Sequence, residues 1–184
     1  VFDPTEPFLD ESVFAECAWK EYYPRAAEAI SPNMPEPRGK AVVTTCFVDA
    51  NHAGCWLMHR SHSGMLIFVN RAPIIWYSKR QATVESSTFG SESVAMRVAI
   101  DLIEALRYKL RMMGVPIDGA TKVYCDNESV VKSTTRPEST LKKKHNAINY
   151  HRAREAQAAG HIRVAWIEGK DNLADVLTKV LVDE

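Results

Sequence analysis

An α/β domain, a mixed five-stranded sheet flanked by helices, is what this sequence predicts. Three observations point there. Residues 41–49 form an apolar, β-branched run without alternation, the pattern of a strand buried on both faces, and the run ends on Asp49. Residues 120–125 repeat that design and end on Asp126. Between them the apolar period changes from strand-like to that of a long helix, and the full order reads β-β-β-α-β-α-α-β-α. A meander followed by crossovers yields a sheet with both antiparallel and parallel pairs.

Taken in order, residues 1–38 hold six of the nine prolines and read as an acidic connector continuing from an upstream domain, with residues 39–184 as the folded domain. Phe14, Trp19, Tyr22 and Tyr23 fit one short helix docking by its aromatics, and residues 31–38 read as a stiff extended linker. After the first strand, Ser61-His62-Ser63-Gly64 is a turn signal. Residues 65–69 and 74–78 are the next strands, and alternation sends one of Trp76 and Tyr77 inward and the other outward. Ser86-Ser87-Thr88 offers N-cap chemistry for a helix that runs to about Met113 and stops at Gly114-Val115-Pro116. Its apolar stripe is Ala95, Met96, Ala99, Ile103, Leu106, Leu110 and Met113, and one turn back along that face stands Glu92. A short helix over 129–133, a basic helix over about 140–159, a strand over 161–167 and a last helix over 172–182 complete the chain. Leu173, Leu177, Val180 and Leu181 form the last helix's core stripe, with Asp175 off it in the first turn.

Composition narrows the function. At 46% apolar and 25% charged residues this is an ordinary globular chain, and no run nears the roughly 18 apolar residues that span a bilayer, so no membrane partner is expected. The first residues have neither a basic region nor an apolar core, so no signal peptide is expected. Cys17, Cys46, Cys55 and Cys125 lack the spacing of a zinc site, and Cys46 and Cys125 read as buried free thiols of a reduced compartment. Residues 1–36 carry eight acids and two bases, while residues 37–184 carry fifteen acids and twenty-one bases. A mildly basic domain is compatible with a polyanionic substrate.

Four carboxylates stand at strand ends or helix starts among apolar residues: Asp49, Glu92, Asp126 and Asp175. Charge placed there is costly unless it is compensated. Oxygen donors without a Cys or His cluster suit Mg²⁺ or Mn²⁺ rather than zinc. Two such ions on shared carboxylates are the machinery of phosphodiester hydrolysis.

Seven stretches in register carry a resemblance. They are Cys46-Phe47-Val48-Asp49-Ala50-Asn51-His52-Ala53-Gly54, Arg60-Ser61-His62-Ser63-Gly64, the run from Ala72 to Gln81, Glu85-Ser86-Ser87-Thr88-Phe89-Gly90-Ser91-Glu92, Tyr124-Cys125-Asp126-Asn127-Glu128-Ser129, Lys144-His145-Asn146-Ala147-Ile148-Asn149-Tyr150-His151, and the run from Asn172 to Lys179. Together they resemble the ribonuclease H domain of copia-type LTR retrotransposon polyproteins, and residues 1–38 resemble the connector that follows reverse transcriptase there.

The resemblance implies a ribonuclease H-like fold with strand order 3-2-1-4-5. It also implies cleavage of the RNA strand of RNA–DNA hybrids, two Mg²⁺ ions per site with Mn²⁺ as substitute, and an upstream reverse transcriptase as partner. Its metal tetrad maps onto Asp49, Glu92, Asp126 and Asp175. The implied place of action is the cytoplasm, within virus-like particles. Cellular ribonucleases H carry a His in the loop before the last helix; here residues 168–171 have none, so slower turnover is expected. Glu128 stands where many relatives have Gln. Expected substrate contacts are Asn51, Ser91 and Asn127 toward RNA 2′-hydroxyls, and Lys142, Lys143, Lys144 and Arg152 toward phosphates. His145 and His151 are expected to bond to the neighbouring loop rather than to a metal. The alternative reading is a catalytically silent nucleic-acid or protein-binding domain on the same scaffold.

Overall fold

The computed structural model describes residues 16–55, 59–141 and 144–179. After helix α1 (Glu16–Tyr22) come strands β1 (Thr44–Cys55), β2 (Arg60–Val69) and β3 (Ala72–Arg80), then helix α2 (Thr88–Met112). Strand β4 (Thr121–Cys125), helices α3 (Glu128–Thr135) and α4 (Ala147–Ala158), and strand β5 (Ile162–Trp166) follow. The sheet order is β3-β2-β1-β4-β5, with β1–β2 and β2–β3 antiparallel and β1–β4 and β4–β5 parallel. The 3-2-1-4-5 expectation holds.

Why these residues make these elements follows from their two faces. Cys46 and Val48 on β1, Met65 and Ile67 on β2, and Val123 on β4 point to one side, where they meet Ala95, Met96, Ala99, Ile103 and Leu110 of α2 and Ala153 and Ala156 of α4. Phe47, Phe68 and Tyr124 point to the other side and are covered by Ile167 and Ala174 of the C-terminal segment. Burial on both faces is why β1 reads as a continuous apolar run. The Ser87 side chain caps α2 by accepting from Gly90 N, and Gly114 at φ +70° ends it as expected. Met113, assigned to the apolar stripe, lies beyond the last helical residue and is exposed.

Four boundaries differ from expectation, each for a physical reason. β1 does not stop at Asp49; it continues to Cys55, paired with β2 alone and with an irregularity between Asn51 and Cys55. The expected turn at residues 61–64 lies inside β2. Its small polar residues serve a buried network instead, in which Ser61 Oγ accepts from Ala53 N and Ser63 Oγ accepts from Gln81 Nε2. Helix α4 begins at Ala147, after a 3-10 turn at Lys144–Asn146, rather than near Thr140. The loop before it is wrapped on α4: Tyr150 Oη donates to Ser139 O, and Arg154 donates to the carbonyls of Ser133, Arg136 and Pro137. Finally, 172–179 forms a 3-10 turn at Asp175–Leu177 instead of a helix, following another at Gly169–Asp171. Asn172 diverts the chain there, since its Oδ1 accepts from Ala174 N and its Nδ2 donates to Val48 O. Val180, Leu181 and the rest of the expected last helix lie outside the described residues, as does Phe14.

Residues 19–38 lie against α2 and α4. Trp19 is buried, and the Arg154 guanidinium sits 5.2 Å from its ring centre, 5.7 Å from that of Tyr23 and 4.7 Å from that of Tyr150. His151 Nδ1 pairs with Tyr23 Oη at 2.8 Å, so its partner is the leading segment rather than the neighbouring loop. His145 is exposed. Farther along, Arg38 N donates to Gly114 O at 2.8 Å.

Candidate active site

The last parallel pair between β1 and β4 is Val48 with Cys125. Asp49 and Asp126 therefore emerge one residue later from neighbouring strands, at the carboxyl ends of the parallel pairing, where open α/β sheets gather their ligands. Asp49 also pairs with Gly64 of β2 and is buried. The backbone of Asp126 is held by Trp166, whose Nε1 donates to Asp126 O at 3.0 Å.

Glu92 enters from the second turn of α2. It is 6% exposed, its Oε1 accepts from Ala50 N at 3.3 Å, and its Oε2 is buried with no hydrogen-bond partner among the described residues. Burial, then the charges of Asp49 and Asp126, push its carboxyl up to about 9. Asp49 and Asp126 are raised as well, first by burial and then by neighbouring carboxylates, with Asp175 acting on both. Asp175, partly exposed in its 3-10 turn, is ion-paired to Lys179. The charges of Asp49 and Asp126 thus oppose ionisation of Glu92, and Asp175 bears on the two aspartates.

A cation would compensate such a cluster. Ligand atoms of Glu92, Cys125 and Asp126 all lie within 4.8 Å of one another, a group that could hold a metal ion. Cys125 is fully buried, and burial followed by the charge of Glu92 drives its thiol well above its usual range, so it stays protonated. The usable donors are oxygens, and the orphaned Glu92 Oε2 is a buried acceptor waiting for a positive partner.

The remaining expected contacts divide. Asn51 lies at the site, its Nδ2 donating to Thr178 O at 3.3 Å. Asn127 adjoins Asp126, but its Oδ1 caps α3 by accepting from Ser129 N and Val130 N. Ser91 is 0% exposed and turned inward, with Oγ donating to Thr88 O at 2.9 Å and 3.3 Å from His52 Nδ1, so the expectation that it touches substrate is corrected. Arg152 is corrected too: its guanidinium is engaged by Asp101 and Glu104. Glu104 stands twelve residues beyond Glu92 on the same helix, about 18 Å away. Lys144 is exposed at the start of its 3-10 turn, while Lys142 and Lys143 lie outside the described residues. Trp76 is the outward residue of its pair, 71% exposed on edge strand β3, and Tyr77 packs inward.

Three residues to which the sequence assigned no role organise the site. Gln81 Nε2 donates to Ser63 Oγ at 2.9 Å and Ser91 O at 2.8 Å, tying the end of β3 to the start of α2. Asn172 hydrogen-bonds Val48 O and the side chain of Asp126. Thr178 Oγ1 donates to Asp49 Oδ2. Of these, Thr178 alone left a signal, one turn after Asp175.

No family model matches the chain. It is 28% identical over 144 residues to the retrovirus-related Pol polyprotein from transposon RE2 of Arabidopsis thaliana, which covers 78% of the chain and 10% of that protein. The Pol polyprotein from transposon TNT 1-94 of Nicotiana tabacum is 30% identical over 135 residues, 73% of the chain and 10% of the relative. The chain thus spans about a tenth of the length of the curated relatives it matches. Among solved structures, the N-terminal RNase H domain of Rv2228c from Mycobacterium tuberculosis superposes with TM-score 0.57 at 15% identity, covering 75% of this chain and 91% of that one. LC11-RNase H1, in complex with RNA/DNA hybrid, gives 0.57 at 16% identity, covering 73% and 92%. The foamy viral protease-reverse transcriptase, also with RNA/DNA hybrid, gives 0.50 at 16% identity, covering 84% of this chain and 22% of that one.

Proposed function

The chain has the ribonuclease H fold and is related to a segment of retrovirus-related Pol polyproteins of plant transposons, and on that premise we propose that it is a divalent-metal-dependent endoribonuclease cleaving the RNA strand of RNA–DNA hybrids during retroelement reverse transcription. The observation that carries the reading is the buried Glu92 oxygen with no partner among the described residues, grouped with Asp126, with the charge of Asp49 bearing on both and Asp175 close enough to bear on both aspartates.

Asp49, Glu92, Asp126 and Asp175 would hold Mg²⁺, with Mn²⁺ as substitute. When bound, two such ions supply the activated water and the leaving-oxygen stabilisation that phosphodiester hydrolysis requires. The chain's own contribution is placement. The paired strand ends hold two aspartates side by side, and the Ala50 N–H fixes one oxygen of Glu92 and leaves the other directed into the cluster. Asn51 borders the site and would contact the substrate, with Lys144 and the neighbouring Lys142 and Lys143 giving the backbone affinity without sequence preference. An upstream reverse transcriptase would supply the hybrid, in the cytoplasm or in virus-like particles.

The test is incubation of the full chain with labelled RNA–DNA hybrid, single-stranded RNA, duplex RNA and duplex DNA, each with Mg²⁺ or Mn²⁺. Cleavage of RNA in the hybrid alone, lost in Asp126→Asn, is the expected outcome. Hybrid binding with no cleavage under either metal would overturn it in favour of a binding module.

A further inference from the structure

We propose that Thr178 is the positioning residue for the Asp49 carboxylate, so that the C-terminal segment sets the metal-holding geometry of the sheet. The inference rests on the reading that the carboxylates hold divalent ions, and it deepens that reading.

Pairing with Gly64 of β2 fixes the backbone of Asp49 but not the rotation of its carboxylate, whose terminal torsion is broad. A hydrogen bond has to set it, and Thr178 Oγ1 supplies one, donating to Asp49 Oδ2 in a buried setting. Thr178 is itself seated by three contacts. Its carbonyl accepts from Asn51 Nδ2 at 3.3 Å, and its own N–H donates to Asp175 O at 3.1 Å. Its methyl fills the space above Gly64, where a Cβ would lie 2.7 Å from Thr178 Cγ2.

The hydroxyl has one proton and two acceptors within reach, Asp49 Oδ2 and Asp175 O at 2.9 Å. A bond to a carboxylate is charge-assisted and the stronger of the two, and Asp175 O already accepts the N–H groups of Thr178 and Lys179. The proton therefore goes to Asp49. Because Asp175 stands in the same turn, this single contact also sets the spacing of two carboxylates from distant parts of the chain.

The experiment is Mn²⁺ titration of the full chain without substrate, with a thermal melt of each variant. Thr178→Val keeps the shape and removes the donor; it should weaken Mn²⁺ binding about tenfold or more, as loss of a residue that orients a metal ligand does. Thr178→Ser keeps the hydroxyl and should restore most of the affinity. Thr178→Ser and Thr178→Ala, both without the methyl, repeat the comparison if Thr178→Val does not fold. Equal affinity in wild type and Thr178→Val, or equal loss in Ser and Ala variants, overturns the proposal. A wild type that binds no Mn²⁺, or an Asp126→Asn variant that binds it equally well, overturns the metal reading and this inference with it.

Discussion

Glu28, in the segment ahead of the sheet, accepts hydrogen bonds from Arg107 of α2, from Nε at 3.0 Å and from Nη2 at 3.1 Å. Arg111 reaches the same carboxylate one turn later. Arg107 is nearly fully buried and also donates to Gly119 O at 2.9 Å, so the acidic leading segment completes the charge balance of the folded domain.

Replacing Glu28 by Ala leaves the Arg107 guanidinium buried without its carboxylate. Breaking a buried pair from one side costs about 3–5 kcal/mol, and because Glu28 keeps some solvent contact we expect about 2 kcal/mol. Equilibrium denaturation checks this, with an unchanged midpoint as the contrary result.

Glu28 and Glu104, each held by cationic partners, predict the acid limit of stability. Burial would raise Glu28 and Glu104, but Arg111 and Arg107 in one case, and His161 and Arg152 in the other, outweigh it and hold both at about 2. A depressed carboxylate stabilises fully above its unfolded value of about 4.5 and loses that contribution as pH falls toward 2. After discounting for solvent screening at these part-exposed groups, each contributes about 1–2 kcal/mol. Melting temperature should drop between pH 5 and pH 2, and Glu104→Gln should flatten the drop; a parallel decline in both proteins would refute the assignment.

Glu92 predicts the opposite sign. Its carboxyl, raised to about 9, stabilises fully below about 4.5 and loses that contribution progressively up to pH 9. Glu92→Gln should therefore stabilise the metal-free protein at pH 7 by about 1–3 kcal/mol while abolishing hybrid cleavage. Mg²⁺ should raise the melting temperature of the wild type and not of the variant. Equal Mg²⁺ shifts in both would remove Glu92 from the metal site.

Gly64 tests the seating of the C-terminal segment. A Cβ at this position would lie 2.7 Å from Thr178 Cγ2, 2.8 Å from Ala174 O and 3.0 Å from Leu177 Cβ. The backbone oxygen cannot swing away as a side chain would, so Gly64→Ala should push the segment off β2 at a cost of about 1–3 kcal/mol. Mn²⁺ affinity should fall with it. A variant as stable as wild type, with unchanged affinity, would show that the segment is not seated there.

How much of this was legible depends on how local the cause is. The apolar strand runs that lead into Asp49 and Asp126, the Ser87 cap, the stop at Gly114 and the position of Glu92 one turn ahead of an apolar stripe are nearest-neighbour properties, so the sequence showed them. Residues 61–64 misled because the same small residues that make turns also fill a buried polar network beside a close backbone approach. Arg152 misled because a basic helix face reads the same toward phosphate as toward Asp101 and Glu104.

By itself the sequence determined the α/β class and the strand count and singled out four carboxylates as candidates, since periodicity and residue type carry that information without knowledge of neighbours. Tertiary structure alone decided that β1 runs past Asp49, that the C-terminal residues form 3-10 turns, that residues 19–38 pack on α2 and α4, and that Thr178 faces Asp49 across 129 positions. Those outcomes hang on side chains far apart in the chain competing for backbone groups and for burial, and no local window of sequence contains both competitors.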